Sequence, residues 1–192
     1  MTIRILGLLF TASALVWLVG EAGLQIVQYF RGGRVKTTEW RSFAVLTVAG
    51  VIAAIAANLL ARHVRLPIFP TRTVALALAL PVFWGGIAFR LWAIRTLGRF
   101  FRGVVHIQED HQVVEAGPYR ILRHPSYTGL LLAIIGVCLA ADNVAVFLVV
   151  FLVVVAALLY RIHVEERTLL RELGQPYADY AAQRSRLIPG IW

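Results

Sequence analysis

Three features of the sequence predict an all-α integral membrane protein of about five transmembrane helices: an apolar composition, apolar runs of near-bilayer length, and arginines gathered between those runs. With 59% hydrophobic and 15% charged residues and a mean hydropathy of +0.75, the 192-residue chain lies outside the soluble range and inside that of membrane proteins. The net charge of +9 raises nucleic acid as a partner. The basic residues flank apolar runs, however, and form no aromatic-interleaved basic face, so anionic lipid headgroups are the expected partner and nucleic acid is not.

The first run starts after Arg4 at Ile5 and passes Val19 without stopping, through Gly20, Glu21 and Ala22 to Phe30. A secretory signal core is shorter than this, so a retained span closed by Arg31 and Arg34 is predicted. Four more runs follow, Phe43 to Leu60, Val74 to about Ala93, Tyr127 to Ala141 and Val144 to Tyr160, the longer ones approaching the roughly 20 residues that cross the hydrocarbon core. Asp142 and Asn143 read as a tight turn, which makes the last two runs a helical hairpin. Placing the segment from Arg95 to Arg123 and the tail after Tyr160 in the cytosol puts 14 arginines and lysines there, against Arg4, Arg62, Arg65 and Arg72 on the other side. That imbalance predicts an outer N-terminus and a cytosolic C-terminus, in the plasma membrane if the cell is bacterial. Arg90, near the cytosolic end of the third run, either snorkels to the interface or reaches inward. No repeat or composition shift divides the chain, so one domain over 1–192 is expected.

Chemistry concentrates in two polar clusters. The connection from Gly98 to Pro125 holds Arg99, Arg102, His106, Glu109, Asp110, His111, Glu115, Arg120, Arg123 and His124, far more than a turn requires. His124 precedes Pro125, which favours an extended residue followed by the first turn of a helix. Such a start offers free backbone N–H groups to an anion, although an ordinary loop-to-helix junction with Ser126 near the cap accounts for the same residues. Beyond the last run, Arg161 and Glu165 stand four residues apart on one helical face, with Glu166 and Arg167 widening the charged band. Intrahelical pairing of Arg161 with Glu165 is the plain alternative to a functional site. Gly174 is placed to end this helix, and Gln175 and Pro176 then open a short segment containing Tyr177 and Tyr180. A tail so rich in aromatic and basic residues is suited to closing over a pocket. The five histidines follow no metal-ligand spacing and the single cysteine, Cys138, lies in an apolar run, so no metal is expected. Nucleotide-binding glycine loops and the GxSxG elbow are missing.

Residues 117–129, GPYRILRHPSYTG, followed by EERTLLRELGQPYADY at 165–180, resemble the isoprenylcysteine carboxyl methyltransferase family, within the membrane phospholipid methyltransferases. The motif-bearing half runs from about 95 to 190. The resemblance implies S-adenosylmethionine as methyl donor, in a cytosolic pocket built from the loop, the start of the fourth helix and the charged helix. It implies donor contacts from His106, His111, Gln112, Val113, Val114, Tyr119, His124, Pro125, Ser126, Tyr127 and Glu165. It further implies that Arg161 holds the acceptor, with Arg161 and Glu165 forming the catalytic pair.

The acceptor implied is lipophilic, the carboxylate of a prenylated cysteine or an analogue, and related small enzymes methylate phospholipid amines or thiols. A carboxylate is already a nucleophile and needs only orientation, whereas an amine or thiol must lose a proton, for which His124 or Glu165 is the candidate base. Two other classes stay open on sequence: a nicotinamide-dependent, sterol-reductase-like enzyme, which usually has a longer chain, and a non-catalytic scaffold or transporter.

Overall fold

Helix α1 (Thr2–Phe30) is followed by a short strand β1 (Val35–Glu39), α2 (Arg41–His63), α3 (Arg72–Leu97), strand β2 (Val105–Gln108), α4 (Pro125–Ala141), α5 (Val144–Leu173) and α6 (Gln175–Ala182). The computed structural model describes residues 2–30, 35–101, 105–108 and 113–192. Arg31, Arg34 and Arg102, which enter the charge asymmetry, and His111 and Gln112, expected at the donor site, lie outside the described residues. Four helices are long and apolar enough to cross a bilayer. The expected fifth, α4, has 17 residues and is about 25 Å long, against a hydrocarbon core of about 30 Å.

Beyond the expected helices there is an antiparallel β1–β2 ribbon, in which Thr38 faces His106 and Glu39 faces Val105. The reason lies in the residues: Val35, Thr37 and Thr38 are β-branched, as are Val105 and Ile107. Runs of five and four residues are too short to register against the apolar periodicity around them.

Sequence-local signals set the helix ends. The Thr71 hydroxyl accepts from Val74 N at 3.3 Å to open α3, and Asn143 Oδ1 accepts from Ala145 N and Val146 N to open α5, the usual role of such residues at a helix start. Asp142 adopts the left-handed conformation (φ 52°), which makes the α4–α5 hairpin turn. The turn is also tied to the α2–α3 connection: Asp142 Oδ1 accepts from Ile68 N and Phe69 N, and Asn143 Nδ2 donates to Val64 O at 2.6 Å. This end of the bundle is therefore a fixed polar knot, and the described residues of both expected functional clusters lie at the other end.

Helix α3 packs closely on α4 because glycines remove the side chains between them. A Cβ on Gly129 would stand 2.6 Å from Arg90 N, and one on Gly136 would stand 2.7 Å from Phe83 Cα. Where lipid is as apolar as leucine, such close backbone approach is a main source of helix association. On the other side, Val146, Val150, Val154 and Leu158 of α5 share one core with Ala53 of α2. Much of α1 and α2 remains exposed, with Leu8, Val16, Val19, Val48 and Ile55 uncovered, the surface of helices made to face lipid.

Arg90 reaches inward rather than snorkelling. Its Nε and Nη2 donate to the two carboxylate oxygens of Glu21 at 2.6 and 3.0 Å, and Nη1 donates to Ser126 O at 3.0 Å. One guanidinium thus ties α1, α3 and the first turn of α4 together.

Candidate active site

The site forms where the start of α4 meets the end of the apolar part of α5. Pro125 sits at the first position of α4, as the sequence predicts, and is fully buried. His124 occupies the cap position with no side-chain cap bond, so its ring is available for other contacts. It lies parallel to the Tyr127 ring, with centroids 5.6 Å apart and planes 13° apart. Ser126 does not cap the helix; it is buried, and its carbonyl receives Arg90.

Tyr127 is the centre of the constellation. Its hydroxyl donates to Glu165 Oε2 at 2.5 Å and accepts from Arg161 Nε at 2.8 Å. The Arg161 carbon Cζ lies 5.8 Å from the Tyr127 ring centroid, and Nη1 donates to Ser42 Oγ at 3.2 Å. Arg161 is 2% exposed and Ser42 0%. A guanidinium this deep needs every such partner, because burying a charge without hydrogen bonds is costly. The two α5 residues expected to share a face do so, and they meet through a tyrosine from α4.

Glu166 has a separate position that the sequence reading did not assign. Arg123 Nη1 donates to it at 2.7 Å, Arg186 Nε at 3.0 Å to its second oxygen, and His124 Nε2 lies at 3.3 Å. It fastens the C-terminal tail to the loop before α4. The fastening continues along the backbone, where Arg123 N donates to Ser185 O at 2.8 Å, Ser185 N to Ile121 O and His124 N to Arg186 O. Thr128 Oγ1 adds a bond to Leu187 O at 2.8 Å.

Helix α6 packs on the same loop. Tyr180 donates to Tyr119 O at 2.9 Å and approaches Leu122 O at 3.2 Å. Burial pushes its phenol up to about 12, with Arg184 opposing, so it stays a donor at physiological pH. Tyr119, in the short turn 117–120, is buried. Burial first, then the nearby Glu165 carboxylate, holds its phenol well above the ordinary tyrosine range. That turn requires Gly117, whose φ is +52° and whose absent Cβ would meet Thr96 Oγ1 at 2.9 Å.

Of the donor residues expected from the sequence, the structure brings His124, Pro125, Ser126, Tyr127 and Glu165 together, with Tyr119 close to Glu165. Val113 and Val114 are half-buried in the loop that leads to this turn. His106 is placed by its backbone in β2. Ser42, Glu21 and Glu166 belong to the site or its support and were not singled out. Ser42 is 119 residues from Arg161, and no local pattern marks it.

Comparison with known proteins bears on this half of the chain. The family model for the isoprenylcysteine carboxyl methyltransferase (ICMT) family matches residues 75–171. Similar proteins include protein-S-isoprenylcysteine O-methyltransferase B of Arabidopsis thaliana, 34% identical over 108 residues, covering 55% of each chain. The protein-S-isoprenylcysteine O-methyltransferase of Tribolium castaneum is 35% identical over 108 residues, covering 55% of this chain and 38% of that one. The chain spans about half the length of the Arabidopsis relative it matches. Among solved structures, that of the eukaryotic intramembrane Ras methyltransferase ICMT superposes with a TM-score of 0.57 at 28% identity, covering 76% of this chain and 52% of that one.

Proposed function

The chain belongs to the isoprenylcysteine carboxyl methyltransferase family, and from that membership and the buried Arg161–Tyr127–Glu165 constellation we propose that it is a methyltransferase. It takes the methyl group of S-adenosylmethionine and passes it to a lipophilic acceptor, the carboxylate of a prenylated cysteine or an analogue, at the cytosolic face of the membrane. The observation that carries this reading is the Tyr127 hydroxyl bonded to both Arg161 and Glu165. It joins a cation suited to a carboxylate with an anion suited to a positively charged donor.

The side chains present fit that donor. Its sulfonium and ammonium suit the Glu165 carboxylate and the faces of Tyr119 and Tyr127, and its polar ends suit the loop before α4. When bound, S-adenosylmethionine supplies an electrophilic methyl group whose transfer to a carboxylate consumes opposite charges. The residues then have orienting work to do. Ser42 and Tyr127 fix the Arg161 guanidinium, which holds the acceptor carboxylate by charge-assisted hydrogen bonds. Glu165, positioned by Tyr127, holds the donor, and exclusion of water by the buried surround raises the value of both contacts. No group has to take a proton from a carboxylate, so His124 is left to its stacking and Glu166 contacts.

Calorimetry of S-adenosylhomocysteine on detergent-purified protein tests the reading, followed by methyl transfer to an S-prenylcysteine carboxylate. Saturable binding that Glu165→Ala removes, together with transfer to the carboxylate, is the expected result. Binding with transfer only to a phospholipid amine or a thiol would change the acceptor class. Folded protein that binds no donor would return the choice to a nicotinamide enzyme or a non-catalytic scaffold.

A further inference from the structure

Tyr177, on α6, is 4% exposed, and its hydroxyl has no hydrogen-bond partner among the described residues. The same is true of Arg123 Nε. Both atoms belong to one junction. Tyr180, three residues along α6, bonds to Tyr119 O and Leu122 O, which seats α6 on the loop that ends in Arg123, and the Tyr177 and Tyr180 ring centroids are 6.0 Å apart. Arg123 in turn reaches Glu166 through Nη1. The phenol of Tyr177 is held far above the ordinary range by burial, then by Glu166 and Glu165, with Arg123 opposing, so all three charged groups lie within electrostatic reach of it.

A buried donor with no acceptor costs stability, and phenylalanine would fill the same space without that cost. An acceptor that arrives with a bound ligand would satisfy the Tyr177 hydroxyl. We propose that the Tyr177 hydroxyl and Arg123 Nε together bind a carboxylate of a bound substrate, making α6 a wall of the active site rather than only a support for it. The inference rests on the methyltransferase reading, which provides two sources for that carboxylate: the amino-acid end of the methyl donor and the carboxylate of the acceptor. The donor is favoured, because Glu165 close by suits the ammonium beside that same carboxylate, and the pair of charges leaves the junction electrically balanced.

The test compares wild type with Tyr177→Phe by calorimetry against S-adenosylhomocysteine and against 5′-methylthioadenosine, which lacks the amino-acid end, alongside thermal unfolding of the ligand-free proteins. The expected result is an S-adenosylhomocysteine affinity lower by about ten-fold, the scale of one hydrogen bond to a charged group. Methylthioadenosine affinity stays unchanged, and the Tm equals or exceeds that of wild type. An unchanged S-adenosylhomocysteine affinity with a KM for the S-prenylcysteine carboxylate raised about ten-fold would assign the pair to the acceptor instead, still as a carboxylate site. Unchanged affinity and KM with a lowered Tm would overturn the inference in favour of a structural water, and would leave the proposed function standing. Wild type that binds no donor and methylates no acceptor would remove both.

Discussion

The hydroxyl of Tyr127 is a single atom on which two roles depend, and this makes Tyr127→Phe an informative change. Phenylalanine keeps the stack on His124 and the packing of α4 but removes the atom that serves both Arg161 Nε and Glu165 Oε2. Two charged groups then lose a partner in a buried place, which should cost about 1–3 kcal/mol of stability. Loss of alignment should lower kcat by about 100-fold, the scale of an ångström-level misplacement. A variant with wild-type kcat would show that the tyrosine is only scaffolding. Arg161→Ala should mainly raise the KM of the acceptor and Glu165→Ala mainly weaken donor binding; equal loss of donor affinity in both would end that division of labour. At this scale the sequence was legible where chemistry clusters locally. Arg161 and Glu165 are one turn apart, and the RHPSY run marks the helix start. Ser42 was illegible because its partner is 119 residues away, and Glu166 because its three partners come from the loop and the tail, which only the folded chain brings together.

Between elements, the α3–α4 contact and the Arg90 tie decide where that helix start sits. Gly85 and Gly86 are neighbours in sequence with opposite surroundings: a Cβ on Gly85 meets nothing within 4 Å, whereas one on Gly86 would lie 2.4 Å from Ala133 N. Gly85→Ala should therefore be neutral or slightly stabilising, through helix propensity of up to about 1 kcal/mol. Gly86→Ala and Gly129→Ala must push two backbones apart and should cost at least about 2 kcal/mol, read as a lower Tm in detergent. Equal Tm values for all three would show that α3 and α4 do not pack this closely in the membrane protein. The Arg90–Glu21 pair gives a second comparison. Glu21→Leu leaves a buried guanidinium with one partner fewer and should lower stability by about 3–5 kcal/mol, while the double change Glu21→Leu with Arg90→Met should cost less than the single one. Hydropathy made all five apolar helices legible, and turn and cap residues did the same for the hairpin at Asp142 and the stop at Gly174. Hydropathy could not make the pairing of helices legible, since an exposed and a buried glycine look alike in a run that is almost wholly apolar.

For the whole molecule, the proposed function raises the question of how a lipophilic acceptor would reach a site at one end of the bundle. The constellation at Tyr127 lies where α4 begins and where the C-terminal tail is bonded to residues 121–128, while α1 and α2 present apolar side chains outward. On the proposed reading the acceptor partitions into the bilayer first and keeps its apolar chain out of water while its carboxylate goes to the buried Arg161. Its chain then gains little on binding, because lipid and protein interior are similarly apolar, and the chain acts mainly by setting how much acceptor the membrane holds. Each buried methylene favours the membrane by about 0.8 kcal/mol, nearly four-fold in partitioning. Shortening the prenyl chain should thus raise KM steeply when concentration is counted over the whole volume, and leave it nearly flat when counted as mole fraction in the lipid. Reconstitution into vesicles, with acceptors one isoprene unit apart and the membrane-bound fraction measured for each, separates the two scales. A KM that remains steep in mole fraction would place the chain in a dedicated protein groove that measures its length. A KM indifferent to chain length on both scales would mean that the acceptor arrives from water and that the membrane serves only to hold the enzyme.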